Sequence, residues 1–269
     1  MKKSLLALAV LSAFAGVASA QSTVTLSGGV DLAVARTGGQ WSMGTSGSSR
    51  SNFTLAGSED LGGGMSAFFT LNHRFKPNDG TLNPGGNLGP AGSTQFYRNS
   101  FVGLKGGFGD VRLGRILMPL QDFNGGFEPW GGGDTVGHTH TGGIKATVRA
   151  NNTIYYRSPS MGGLQVHAAI AAAEGQTAAV SLERPMGFGG RYDAGPLSAA
   201  VAYDKNDQDL ATTGFYAKYN FGMATLLGQY EKGDISATVD VARYSISAIV
   251  PMGAGAFKVG YMSWSDENT

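Results

Sequence analysis

The chain has 269 residues, 43 of them glycine, no cysteine, and 20 basic against 19 acidic side chains. Near-neutrality excludes a nucleic-acid partner, which calls for a basic face to neutralise phosphates, and 42% hydrophobic residues exclude a disordered chain. Glycine is well above its usual ~7% and is scattered along the chain, which argues against helices and against collagen. Charged residues make up only 14%, where ~25% is ordinary, so few are available to coat a water-exposed exterior.

Met1-Lys2-Lys3 is a short basic start, Leu5 to Val17 an apolar run, and Ala18-Ser19-Ala20 a small-residue cleavage pattern. Together they read as a secretory signal over residues 1–20 with Gln21 as the mature N-terminus. The apolar run is too short for the ~20 residues of a spanning helix, and no later stretch approaches 18 apolar residues. An exported chain without disulfides is left with either a water-soluble fold or a closed β-barrel in which every strand is paired.

From Val24 onward apolar and polar residues alternate with period two: Val24, Leu26, Val30, Leu32 and Val34 lie on one face, Thr25, Ser27 and Asp31 on the other. Similar segments follow at Arg50 to Gly57, Met65 to Phe75, Gln95 to Lys105, Asp110 to Leu117, Thr147 to Arg157, Leu164 to Ala173 and Leu182 to Asp193. Five more come at Leu197 to Tyr203, Ala211 to Phe221, Met223 to Glu231, Val239 to Val250 and Ala256 to Trp264. That makes about thirteen strands.

The connections between them alternate in length. Tight Gly-rich turns sit at 59–63, 106–109, 158–163, 194–196, 221–222 and 251–255; longer segments sit at 37–49, 77–94, 118–146, 174–181, 204–210 and 232–238. Short turns at one end and long loops at the other describe an all-β, antiparallel up-and-down transmembrane barrel of the outer-membrane type. Leu197, Ala199, Val201 and Tyr203 oppose Ser198, Ala200, Ala202 and Asp204; Phe215, Ala217, Tyr219 and Phe221 oppose Tyr216, Lys218 and Asn220. That is an apolar exterior around a polar interior. Tyr192, Tyr219 and Phe221 fall at turn ends and Tyr203, Tyr230 and Tyr261 towards loop ends, where aromatic girdles would meet the two membrane interfaces.

Three stretches carry a resemblance to a known family: Arg50-Ser-Asn-Phe-Thr-Leu-Ala-Gly-Ser-Glu-Asp-Leu-Gly62, Arg98-Asn-Ser-Phe-Val-Gly-Leu-Lys-Gly-Gly-Phe-Gly-Asp-Val-Arg-Leu-Gly-Arg115, and Arg149-Ala-Asn-Asn-Thr-Ile-Tyr-Tyr-Arg-Ser-Pro159. The chain resembles the trimeric general porins of the Gram-negative outer membrane. The resemblance implies a water-filled pore for ions and small hydrophilic solutes, a surround of outer-membrane lipid and a homotrimer. It also implies a third long loop folded into the lumen. In that loop Asp122, Glu128 and Asp134 are the acidic constriction residues, and Arg50, Arg115 and Arg149 are their basic counterparts on the wall.

Parity bears on these arginines separately. Arg50 shares its face with Asn52 and Thr54, Arg149 with Asn151, Thr153 and Arg157, and Arg74 with Thr70 and Asn72, so all three point inward. Arg115 falls with Val111 and Leu113, so the strand is expected to end or bulge at Gly114. Four arginines facing three carboxylates imply a mild anion preference, with Arg157 and Arg191 as further wall cations.

The alternatives are a barrel enzyme of the phospholipase or protease type and a barrel displaying adhesive loops. His167, on the Gln165 face, is the histidine placed in the lumen, but no Gly-x-Ser-x-Gly elbow occurs. His138-Thr-His140 lacks the further ligands of a zinc site, and no cofactor motif is met, so no cofactor is expected. Family barrels have sixteen strands and end in an aromatic residue, whereas this chain stops at Ser265-Asp-Glu-Asn-Thr269. The expectation is of three missing strands, with the strands of Val24 and Phe257 as open edges that prevent stable insertion.

Overall fold

The computed structural model describes residues 23–44, 51–82, 96, 98–130, 148–173 and 182–266. The leader over residues 1–20, Arg50, Asp134, His138 and His140 lie outside these.

Thirteen strands form one antiparallel sheet. They are β1 (Thr23–Gly29), β4 (Asn52–Gly62), β5 (Met65–Arg74), β6 (Ser100–Gly106), β7 (Gly109–Leu117), β8 (Arg149–Arg157), β9 (Leu164–Ala171), β10 (Met186–Ala194), β11 (Leu197–Lys205), β12 (Ala211–Asn220), β13 (Thr225–Ser236), β14 (Val239–Met252) and β15 (Gly255–Asp266). A separate ribbon pairs β2 (Ala33–Thr37) with β3 (Gln40–Gly44). Each strand of the sheet pairs with its sequence neighbours, apart from β1, which pairs with β4 across the ribbon. Among the described residues β1 and β15 are the two edges.

The strand count agrees with the sequence pattern for the sheet and differs in detail. The first strand stops at Gly29 instead of continuing to Val34; the end of that expected strand and residues 37–44, expected as loop, form the ribbon. The Gly38-Gly39 pair supplies the turn that lets Val34 sit opposite Met43 and Arg36 opposite Trp41. The last expected loop, 232–238, is mostly strand: β13 runs to Ser236, and a two-residue turn leads into β14. The other unforeseen element is a short helix, α1 (Pro119–Gly126), in the third long connection.

Burial alternates with the period of the sequence. On β9, Leu164, Val166 and Ile170 are exposed while His167, Ala169 and Ala171 are buried; on β12, Phe215 and Tyr219 are exposed while Thr212 and Tyr216 are buried. Val102, Leu113, Ile154, Val201, Ile246 and Tyr261 are likewise exposed. A water-soluble sandwich would bury this apolar face against a second sheet, and a soluble monomer rarely exposes a contiguous patch above a few hundred Å². Hydrocarbon is the solvent that suits it. Cross-strand aromatics reinforce the same face, with ring centroids 5.2 Å apart for Phe188 and Tyr203 and 6.4 Å apart for Tyr244 and Tyr261.

Hydrophobic burial instead occurs inside, where the third connection meets the wall. One cluster gathers Phe101, Ile116, Met118, Ala150 and Tyr155 with Phe68 packed against it. A second sets Leu120, Phe123 and Phe127 against Ala200, Ala202 and Tyr216. The sheet therefore has its core on the face that α1 covers.

Candidate functional site

Met118 precedes α1 and offers no side-chain cap, so the first N–H groups of the helix need partners from elsewhere. The wall supplies one. Both carboxylate oxygens of Asp204, fully buried on β11, accept the Leu120 N–H, at 3.3 and 3.2 Å. At the other end Lys218 of β12 donates from Nζ to the Gly126 carbonyl at 3.2 Å. An acid at the N-terminus and a base at the C-terminus both oppose the helix dipole. Two wall residues thus clamp the loop helix end to end.

Its middle is held by Asn124, whose Nδ2 donates to Glu231 Oε1 at 2.7 Å and to Gln229 Oε1 at 3.0 Å. Glu231 also accepts from Tyr216 Oη at 2.7 Å and pairs with Arg243. A carboxylate that is 1% exposed is tolerable because these partners surround it. Phe123 stacks on His167 at 4.8 Å between centroids. Gly189 makes room for it: a Cβ there would fall 2.6 Å from Phe123 Cε2.

The acidic candidates of the loop differ in setting. Asp122 faces the open lumen from α1, with its Oδ2 3.7 Å from His167 Nδ1. Arg112, Arg157, Arg191 and Arg149 are near enough to draw its carboxyl down, while enclosure within the barrel pushes it up and prevails. Glu128 follows α1 and is buried at 5% exposure.

On the wall, Arg74 is buried and stands opposite Asn52 in register, on the face where Asn72 Nδ2 donates to Thr54 Oγ1 at 2.5 Å. Arg115 sits at a bulge. Gly114 pairs with Thr153 and Ile116 with Ala150, so Asn151 and Asn152 stand opposite Arg115 alone. The strand runs on through Leu117, and the extra residue lies on β8, where Asn152 has φ 46°. Gly114, at φ 144°, permits the kink, since a Cβ there would strike the Ser100 carbonyl. Arg115 Nη1 thereby reaches Asn151 Oδ1 at 2.6 Å.

The same bulge corrects the parity assigned to Arg149. Beyond Asn152 the alternation is reset, and Ala150, opposite Ile116, continues the buried face instead of Arg149 and Asn151. Arg149 Nε donates to Asn99 Oδ1 at 3.0 Å. Its place beside Arg115 comes from the mouth of a pocket of about 160 Å³, lined by both arginines, Asn151, Pro185 and Asp207.

His167 lies under α1 with Tyr155 Oη 2.6 Å from Nδ1 and Gln165 Oε1 3.1 Å from Nε2. The wall anchors Asp204, Lys218 and Glu231, and Asn124 of α1 that Glu231 holds, were not legible beforehand. Asp204 and Lys218 did read as inward-facing, but what they hold is some 80 to 90 residues away in sequence.

A polar-lined sheet with an apolar exterior and a helix fixed across its inner face defines a β-barrel channel narrowed from within. A family model described as Gram-negative porin matches residues 7–269. The chain is 37% identical over 297 residues to outer membrane porin protein 32 of Delftia acidovorans, covering 97% of this chain and 79% of that protein. It is 32% identical over 172 residues to the major outer membrane protein P.IB of Neisseria gonorrhoeae, covering 61% of this chain and 46% of that one. Among solved structures, an anion-selective porin from Comamonas acidovorans superposes with a TM-score of 0.78 at 30% identity, covering 92% of this chain and 80% of that chain. The chain belongs to the Gram-negative porin family. It is an outer-membrane channel for passive diffusion, and the enzyme and adhesin readings are not favoured.

Proposed function

We propose that the pore admits small hydrophilic solutes with a mild preference for anions, set where α1 narrows the lumen. The observation that carries the reading is the loop-end pocket where Arg115 and Arg149 meet one carboxylate, Asp207, with Arg149 also near enough to act on Asp122 of α1. Guanidiniums remain charged at every physiological pH, so the excess is permanent. Arg74 extends the basic wall, and Asp122 and Glu128 are its acidic counterparts on the loop; the family resemblance assigns Arg50 to the first group and Asp134 to the second. The 30% identical Comamonas relative is titled anion-selective, which agrees in sign. Reversal potentials across a planar bilayer in a salt gradient test this: an anion preference reduced by Arg149→Gln is expected, and a clear cation preference refutes it.

The working unit is a homotrimer in outer-membrane lipid, made after removal of residues 1–20. Crosslinking in membranes reads the oligomer, and a monomer as the only crosslinked product refutes the trimer.

A further inference from the structure

The wall carries a second group of charges at the opposite end of the barrel, next to the short turns. Asp110 on β7 is shared by Arg112 Nε at 2.7 Å and Arg157 Nη2 at 2.7 Å. Arg112 is held over the rings of Phe101 and Tyr155, 5.4 and 5.3 Å from their centroids. On the neighbouring wall Asp193 receives Arg191 Nε at 2.7 Å and Nη2 at 2.9 Å, and also the Ser198 hydroxyl. Lys218 stands close by, donating to the last turn of α1. Arg191 and Lys218 both lie against Phe127, 5.4 and 5.2 Å from its centroid, at the turn-side end of the loop helix.

Asp110 thus serves two cations, while Asp193 serves Arg191 with Lys218 nearby. Counting Asp122 above them, four cations meet three carboxylates, and the group keeps a positive excess. The inner face nearer the turns adds Lys105, opposite Asp110 in register. Arg157 and Arg149 are eight residues apart on β8, roughly 25 Å along the strand at ~3.3 Å per residue. The Debye length at 0.1 M salt is ~10 Å, so the two ends of the pore do not screen into one another.

We propose that Arg112, Arg157, Arg191 and Lys218 form a second selectivity station on the turn side of α1, engaging anions in series with Arg115 and Arg149. The turn side of an outer-membrane barrel is periplasmic. The station rests on the channel reading and goes beyond it: an anion meets one cationic group on each side of the narrowing, each accessible from its own mouth. A multivalent anion is the sharpest probe, because it can span two side chains of one station and is slow to pass the loop.

The test uses channels inserted in one known orientation in a planar bilayer at 0.1 M KCl, with inorganic tripolyphosphate added to one side at a time. Block from the turn side is expected, weakened about 5- to 10-fold by Arg157→Gln with Lys218→Gln, and weakened with loop-side block unchanged by Arg157→Gln alone. Lys218→Arg and Arg157→Lys should restore it. Lys218 also touches α1, so Arg157→Gln alone, which leaves the helix contacts intact, must give part of the loss. Turn-side block unaffected by all these variants, or block from both sides weakened equally by Arg157→Gln, overturns the proposal. A cation-preferring reversal potential with side-dependent block intact would refute the anion preference proposed above and leave this station standing.

Discussion

Asp204→Ala removes the wall residue that satisfies the start of α1, and its effect can be worked from the contacts. The carboxylate is fully buried and both oxygens face the Leu120 N–H within 3.3 Å. Losing a helix N-cap costs about 0.5–2 kcal/mol, and a buried donor left without an acceptor costs about 1–3 kcal/mol. The two overlap, so about 2 kcal/mol is a fair figure, equivalent to roughly a 30-fold rise in the undocked population of the loop. Strand pairing does not involve Asp204's side chain, so the barrel should still assemble. Single-channel recordings should show added open-channel noise and a larger mean conductance, with unchanged heat-modifiable migration on gels. Asp204→Asn keeps an acceptor at the same place and should behave almost as the parent. If Asp204→Ala records like the parent, or if Asp204→Asn is as noisy as Asp204→Ala, the clamp does not hold the loop.

Three other outcomes follow from the same geometry. Gly189→Val puts a side chain where Phe123 packs and should displace α1 from the wall, costing about 1–3 kcal/mol and giving noisy, wider channels; unchanged conductance would show that the contact is dispensable. Val201→Arg, on the lipid face, should cost about 2–4 kcal/mol and lower folding yield in bilayers, whereas Thr70→Arg on the inner face should fold normally; equal yields would refute the face assignment. Because enclosure raises the Asp122 carboxyl above its usual range, lowering pH from neutral protonates it earlier than an ordinary aspartate, removes a negative charge from the lumen and increases anion preference. Reversal potentials over a pH series measure this, and Asp122→Asn should flatten the response; a parent pore whose anion preference falls as pH is lowered contradicts it.

Much of the barrel was legible because its solvent is inverted and its strands are simple. The alternation of Leu197 to Asp204 and of Ala211 to Asn220 assigns every side chain to a face, and burial follows that assignment residue by residue. It failed where the backbone departs from strict period two. At Gly114 and Asn152 the bulge resets parity, which corrected Arg149 and located the irregularity expected at Arg115 on the facing strand. The ribbon at 33–44 was not legible because its strands are five residues long, the first merging with the period-two run that ends at Val34 and the second lying in a segment that reads as loop.

What the sequence determined by itself is a membrane barrel with its apolar and polar faces assigned and an inward third loop. Those properties are written locally, in residues one or two positions apart and in the lengths of connections. What only the tertiary structure decided is how the loop is held and where the charges collect. Asp204, Lys218 and Glu231 are 84 to 107 residues from the atoms they bind on α1, and Arg112 and Arg157 share Asp110 across a strand pair. Such contacts depend on closure of a sheet around a segment, and a one-dimensional pattern carries no record of which distant side chains that closure brings together.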